Sequence, residues 1–147
     1  TTGAYSIYDN DPANNTTYGK LYNWYVVNTG KLAPAGWHVA TEAEYTALID
    51  NLGGSSVAGG KMKSTSSLWN SPNTGATNSS GFNGLPGGFR SYLGTGFTAL
   101  GNTGYWWANT ERNAGQGEYT NLDRNTAAAL SNGANKGFGY SVRCVRN

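Results

Sequence analysis

Residues 102–115 read NTGYWWANTERNAG and set two adjacent tryptophans among small polar residues. The Tyr, Trp and Thr content predicts a strand. Neighbouring side chains of a strand point to opposite faces, so Trp106 and Trp107 cannot enter the same layer. One ring must enter the core, and the other must cover a second layer or lie under a loop. Any fold open to this chain has to place large rings on both sides of that strand.

The rest of the chain fits that demand. Only 37% of the residues are hydrophobic, yet 5 Trp and 10 Tyr occur among the 147, and each such ring can bury roughly 150–250 Å². The 22 glycines, with many Asn, Ser and Thr, point to turns rather than to a disordered tail. This is the composition of one folded, loop-rich domain over residues 1–147 with an aromatic core. The formal net charge is +2 with no run of basic residues, which argues against a nucleic-acid partner. Cys144 is the only cysteine, so no intrachain disulfide can form and cysteine usage says nothing for an oxidising compartment. No apolar stretch approaches the ~20 residues of a membrane span, so no direct membrane insertion is expected.

Local patterns assign the elements. TTGAYSIYDNDPANNTT (1–17) reads as a short strand through Tyr5 and Ile7, then a polar loop. In YGKLYNWYVV (18–27), Leu21, Trp24 and Tyr25 stand at helical spacing. TGKLAPAGWHVA (29–40) is turn chemistry leading into an extended piece. TEAEYTALIDNLGG (41–54) carries the clearest helix: Thr41 and Glu44 form a capping box, Tyr45, Leu48, Ile49 and Leu52 share a face, and Gly53-Gly54 supplies a left-handed stop. From residue 55 onward the chain reads as short extended pieces between Gly/Ser/Asn loops, among them a long polar loop over 68–82. GYWWANT and GYSVRCVRN read as strands, the second running through the sheet. Composition shifts near Gly87, with helices before it and loops and strands after it.

Three patches then align in order: YGKLYNWYVV; PAGWHVATEAEYTALIDNLGG with GGKMKST; and LPGGFRS, GYWWANTE and GYSVRCVRN. Together they resemble the Fibrobacter succinogenes major paralogous domain, a family of bacterial and phage-associated modules. The pattern covers nearly the whole chain, and its more specific parts are GWHVATEAE and the terminal SVRCVR after a Gly-aromatic pair. That family looks like a branch of the C-type-lectin-like fold shared with the formylglycine-generating enzyme. The implied fold class is α+β: a C-type-lectin-like fold with two helices packed on small twisted antiparallel sheets with long loops. Similar landmarks occur in the variable proteins of diversity-generating retroelements, whose C-terminal part is rewritten at selected codons and displayed on a scaffold. Family members often carry Cys where this chain has Ser6 and Ala33. The resemblance therefore implies no disulfide to Cys144, which is left to pack as a small buried hydrophobe.

Catalysis finds no support in these residues. The formylglycine-generating enzyme uses a cysteine pair and a bound metal, and one cysteine cannot form that pair. Related iron enzymes need three His ligands, and only His38 is present; beside Trp37 it reads as a packed, hydrogen-bonded imidazole. No GxSxG elbow exists, and no spacing marks an acid/base pair among Glu42, Glu44, Asp50, Glu111, Glu118 and Asp123. GGSSVAGGK lacks the Gly-Lys-Ser/Thr ending of a phosphate loop, because Met62 follows Lys61. Asp9, Asn10 and Asp11 offer hard oxygen ligands but complete no EF-hand, and with Pro12 they read as an Asx turn. No catalytic residue, metal or cofactor is expected.

The remaining candidate is the C-terminal region, about 87–140. Its Tyr, Ser, Asn, Thr and Gly match a paratope, in which Tyr supplies rigid contact area and small polar residues adapt. Gly87, Gly88, Arg90, Gly104, Trp106, Trp107, Leu122, Val142 and Arg143 match the family scaffold, and Arg90 and Arg143 are expected to bridge loop carbonyls or a buried carboxylate. Ligand contacts are expected at Phe89, Ser91, Tyr92, Thr98, Asn102, Thr103, Tyr105, Arg112, Asn113, Tyr119, Asp123, Asn125, Thr126, Ser131, Asn132 and Asn135. The expected function is a non-enzymatic ligand-binding display protein. Its hypervariable surface would recognise a protein or glycan ligand on another cell or particle, in an extracellular, cell-surface or virion setting. The alternatives are a metalloenzyme of the formylglycine-generating type and a structural adhesion module without a specific ligand.

Overall fold

The computed structural model describes residues 2–147. The chain is a mixed α+β protein, mostly sheet with four short α-helices. In order it forms β1 (Tyr5–Ser6), a 3-10 turn (Tyr8–Asn10), α1 (Pro12–Tyr18), β2 (Leu21–Tyr22), α2 (Trp24–Val27), β3 (Trp37–Val39), α3 (Glu42–Asn51) and α4 (Ser55–Met62). The second half adds β4 (Gly87–Arg90), β5 (Phe97–Leu100), β6 (Thr103–Asn113), β7 (Gln116–Asp123), β8 (Ala129–Asn135), β9 (Ser141–Val142) and β10 (Cys144–Arg146). The main sheet has the order β5-β4-β6-β7-β8 with β9 attached to β6, while β1-β2 and β3-β10 form separate ribbons. Among the described residues no helix is long and apolar enough to cross a membrane.

Several expectations are corrected. The main sheet is mixed, not antiparallel: β6 runs antiparallel to β7 but parallel to β4 and β9. Because β5 turns back along one edge of β4, β6 reverses again and lies parallel to β4 on its other side. Four helices form rather than two. The Asx turn expected at Asp11 forms, its Oδ1 accepting from the Ala13 amide (2.9 Å), but it opens α1 rather than a loop, with Pro12 at the first helical position. The predicted 18–27 helix is broken: Tyr18 ends α1, Leu21 and Tyr22 pair with β1, and only residues 24–27 form α2, capped by the Asn23 side chain. GYSVRCVRN breaks at Arg143, so that β9 stays on β6 and β10 leaves to pair with β3.

The fourth helix, α4, forms where extended pieces were expected. Two adjacent glycines make it a poor helix by propensity, and contact with the rest of the fold overrides that. A Cβ on Gly59 would lie 2.0 Å from the Ala128 carbonyl oxygen, and one on Gly60 would lie 2.3 Å from that of Gly75. Only glycine lets the helix close onto the chain entering β8. The α3 helix matches its sequence signals: Thr41 and Glu44 form the capping box, and Tyr45 and Ile49 are buried.

The tryptophan pair divides the interior as alternation requires. Trp106 packs with Tyr45, Ile49, Met62, Trp69 and Leu122 beneath α3 and α4. Trp107 packs on the opposite face with Trp24, Val27, Val39 and Tyr140. Both rings are buried, at 4% and 0% exposure, so the second ring covers a full second core rather than lying under a loop. Three of the buried indoles donate to carbonyls: Trp107 Nε1 to Tyr22 (2.8 Å), Trp24 Nε1 to Ala108 (3.0 Å) and Trp69 Nε1 to Gly84 (3.0 Å). Cys144 is free and half-buried against the second core, as is Ala33.

A charged residue closes the loop region. Lys63 is fully buried, and its Nζ donates to the carbonyls of Thr74 (2.8 Å), Asp123 (2.9 Å) and Thr126 (2.7 Å). Burial pushes its pKa down, but three carbonyls match its three donors. The contact ties the polar loop after α4 to the turn between β7 and β8. Lys63→Met removes the donor shared by the Thr74, Asp123 and Thr126 carbonyls. We expect it to lower the unfolding free energy by about 1–3 kcal/mol, read from urea denaturation, with faster amide exchange over residues 71–80 and 123–128.

Candidate functional site

On the Trp107 face the side chains build a layer of rings. Alternation along β6 places Tyr105 beside Trp107, and pairing with β7 sets Tyr119 opposite Trp107. Tyr140, buried just before β9, lies in their midst: its ring centroid is 4.4 Å from Trp107, 4.9 Å from Tyr105 and 5.2 Å from Tyr119. Phe89 comes from β4 and meets Tyr105 edge-on at 5.2 Å and Phe138 at 5.6 Å. Tyr92 then packs against Phe138 at 4.8 Å. These rings line an open trough of about 470 Å³, together with Leu93, Gln116, Asn135 and the chain at Gly133 and Ala134.

No lining residue of the trough carries a charge. Burial pushes the Tyr105, Tyr119 and Tyr140 phenols above the ordinary value of 10. For Tyr105 a hydrogen bond with Thr103 opposes the rise while the neighbouring Tyr119 and Asp123 add to it; for Tyr119 the Arg112 charge opposes it. The three phenols are therefore neutral at physiological pH. The trough can stack on flat or apolar groups and exchange hydrogen bonds through phenols and amides.

The expected contact residues divide by position. Phe89, Tyr92, Tyr105, Tyr119 and Asn135 line the trough. Asn113 shapes the β6–β7 hairpin beside it, donating to Gln116 Oε1 (3.0 Å) and accepting from the Gly115 amide (2.9 Å). Asn132 pairs with Tyr119 across β7–β8 and accepts from Arg112 Nη1 (3.1 Å). Arg112 itself reaches along the Trp106 side of the sheet, 3.6 Å from Glu118, and Ser131 stands opposite Thr120 on that side. Ser91 is buried, and its Oγ accepts from the Leu93 amide (3.1 Å), forming the turn that presents Tyr92 and Leu93.

The other expected residues cluster elsewhere. Thr103 is buried and donates to Asp123 Oδ2 (3.0 Å), while Asp123 Oδ1 accepts from the Asn125 amide (2.8 Å). Asn102 accepts from Asn70 (3.1 Å), Thr126 lends its carbonyl to Lys63, and Thr98 is exposed on the outer strand opposite Phe89. None of these lines the trough. Sequence reasoning missed Leu93, Gln116, Phe138 and Tyr140. The last two carry a readable signal: GFGY sets two rings at i and i+2, one strand face, and they stack at 5.6 Å.

Other singled-out residues have structural partners. His38 is about one-third exposed, with Nε2 2.7 Å from Glu44 Oε1 and Nδ1 2.7 Å from Asn147 Oδ1. The Asn147 and Glu44 bonds raise its pKa. Burial acts to raise the Glu44 pKa, but hydrogen bonds from Thr41 and His38 outweigh it and hold the carboxyl low. Arg90 and Arg143 require a correction: both are exposed, and neither guanidinium meets a carbonyl or carboxylate among the described residues. Arg143 stands at the strand break and lies 4.6 Å over the Phe82 ring. Among the described residues no group of three or more His, Cys, Asp or Glu side chains is placed to hold a metal ion.

The chain belongs to the Fibrobacter succinogenes major domain family, whose model matches residues 1–146. No curated protein and no solved structure matches it.

The buried phenols make alkaline stability a readout of the ring layer. They hold their protons to higher pH in the folded protein than in the unfolded chain, where tyrosine ionises near 10. Their contribution is complete below pH 10 and is lost as pH rises through the folded-state values. Thermal unfolding followed into alkaline solution should show stability falling from about pH 10 upward, with a shallower fall for Tyr140→Phe. An unchanged slope in that variant would place the Tyr140 hydroxyl in water.

Proposed function

We propose that this chain is a non-enzymatic binding module in which the aromatic trough captures a ligand and the remainder is scaffold. One observation carries the reading: rings from β4, β6, β7 and the approach to β9 converge on a single open concavity whose lining holds no charge. Rigid rings offer large contact area at small entropic cost, and such anchors supply most of the energy at many interfaces. Tyr92 and Leu93 project furthest, at 45% and 68% exposure. Phenols, Gln116 and Asn135 meet the polar groups of whatever stacks there.

The ligand on this reading is a protein or glycan surface on another cell or particle, met in an extracellular, cell-surface or virion setting. The likeness to retroelement variable proteins supports it, since the trough is built in the region that those proteins diversify. The scaffold then corresponds to a C-type-lectin-like fold, in keeping with short helices packed beside a mixed sheet and long loops. The lining favours binding over acid–base chemistry because its hydrogen-bonding groups are phenols and amides.

Glycan arrays and immobilised bacterial surface proteins test this directly. We expect saturable binding that falls about ten-fold or more, at least 1.4 kcal/mol, in Tyr92→Ala and again in Tyr119→Phe. Both changes spare the buried rings. Thr98→Ala and Asn125→Ala, away from the trough, should bind like the parent. Absence of saturable binding, or equal loss in all four variants, removes the trough from the mechanism.

A further inference from the structure

On the opposite face of the sheet, Arg143 separates two hollows. On one side lies an apolar recess of about 250 Å³ walled by Ala40, Tyr45, Leu48, Phe82 and Val145. On the other lies a cleft of similar volume, about 250 Å³, with Tyr18, Asn83 and Ser141 in its walls. Phe82 carries the guanidinium on its face and is itself held edge-on by Trp106 at 5.3 Å and Tyr45 at 6.4 Å. The cation is thus positioned from below by a fixed ring, yet has no anionic partner among the described residues.

We propose that this is a second binding site, in which the recess takes a small aryl or alkyl group and Arg143 takes a carboxylate attached to it. The recess supplies apolar walls, and a guanidinium recognises a carboxylate through paired N–H donors. The charge balance sets the ligand as a monoanion. One unneutralised cation is present, and Glu44 also borders the recess. The Glu44 carboxylate is already engaged by the Thr41 amide and hydroxyl, both at 2.8 Å, and by His38, so it stays ionised and repels a second negative charge. Tyr45, in the recess wall, has a buried hydroxyl without a hydrogen-bond partner. Such an unmet donor is costly. The polar cleft beyond Arg143 offers hydroxyl and amide groups to any chain continuing from the acid.

Two sources share this chemistry: a free small acid, and the terminal residue of a peptide. The test titrates the full chain with phenylpropionate, its neutral amide and N-acetylphenylalanine, following the Leu48 and Val145 methyl resonances and the Arg143 side chain. We expect saturable shifts for the acids and about ten-fold weaker binding of the amide. Arg143→Gln should weaken the acids to the same degree, Arg143→Lys should fall between, and Tyr92→Ala, which cripples the trough, should bind as the parent does. Tighter binding of N-acetylphenylalanine than of phenylpropionate identifies a peptide terminus; the reverse order identifies a free acid. Equal binding of acid and amide, no loss in Arg143→Gln, or the absence of shifts at Leu48 and Val145 overturns the proposal.

Discussion

The strand geometry that drives Trp106 and Trp107 to opposite faces of β6 organises everything else in this protein. Trp106 closes the core under α3 and α4; Trp107 founds a second core with Trp24 and Val27. A chain with few aliphatic residues thereby gains two packed layers from one strand. The trough is the outer skin of the second layer. Tyr140 lies on Trp107, and Tyr105 and Tyr119 lie on Tyr140. The innermost rings of the candidate site are therefore core residues as well, and substitution there costs packing. Freedom to vary falls to the rim, at Tyr92, Leu93 and Asn135, which touch the layer without supporting it.

The long polar segments need a different kind of support. Their main-chain groups have few strand partners, and each buried carbonyl still needs a donor. Lys63 supplies three at once. A buried ammonium is expensive unless it is fully paired; here it gathers carbonyls from two loops that share no ladder. The glycine pair in α4 acts toward the same end by letting a helix backbone approach those loops more closely than any side chain would permit. Both devices are satisfied only when the β7–β8 turn is in place, so loop order and sheet order come together.

Legibility in the sequence tracks the range of the interactions. The α3 helix is readable because its cap, its apolar face and its stop all lie within 14 residues. The split of the tryptophans is readable because it needs only strand alternation. The α4 helix is not, since nothing local reveals that Gly59 and Gly60 face a carbonyl from residues 128 and 75. Phe89, Tyr92, Tyr105, Tyr119 and Asn135 are expected contacts and do share the trough. Arg112 and Ser131 are expected contacts too but stand on the other side: Ser131 pairs with Thr120, which pairs with Trp106, and Arg112 follows Trp106 at an even spacing along β6. Alternation sets both positions, and residue type alone does not say which face carries the trough.

The same geometry separates the two proposed sites. The trough belongs to the Trp107 face, and the Arg143 recess belongs to the Trp106 face through Phe82, Tyr45 and Val145. Between them lie the sheet backbone and the two tryptophan layers packed on its opposite faces. A change of ring or amide at the trough rim does not reach Phe82, because the intervening tryptophans share a strand but no packing surface. Side-chain changes at contact distance couple strongly, whereas those across a rigid layer add independently. The two faces can therefore be altered one at a time, which is the property a scaffold needs if one surface is to change while the other keeps a fixed ligand.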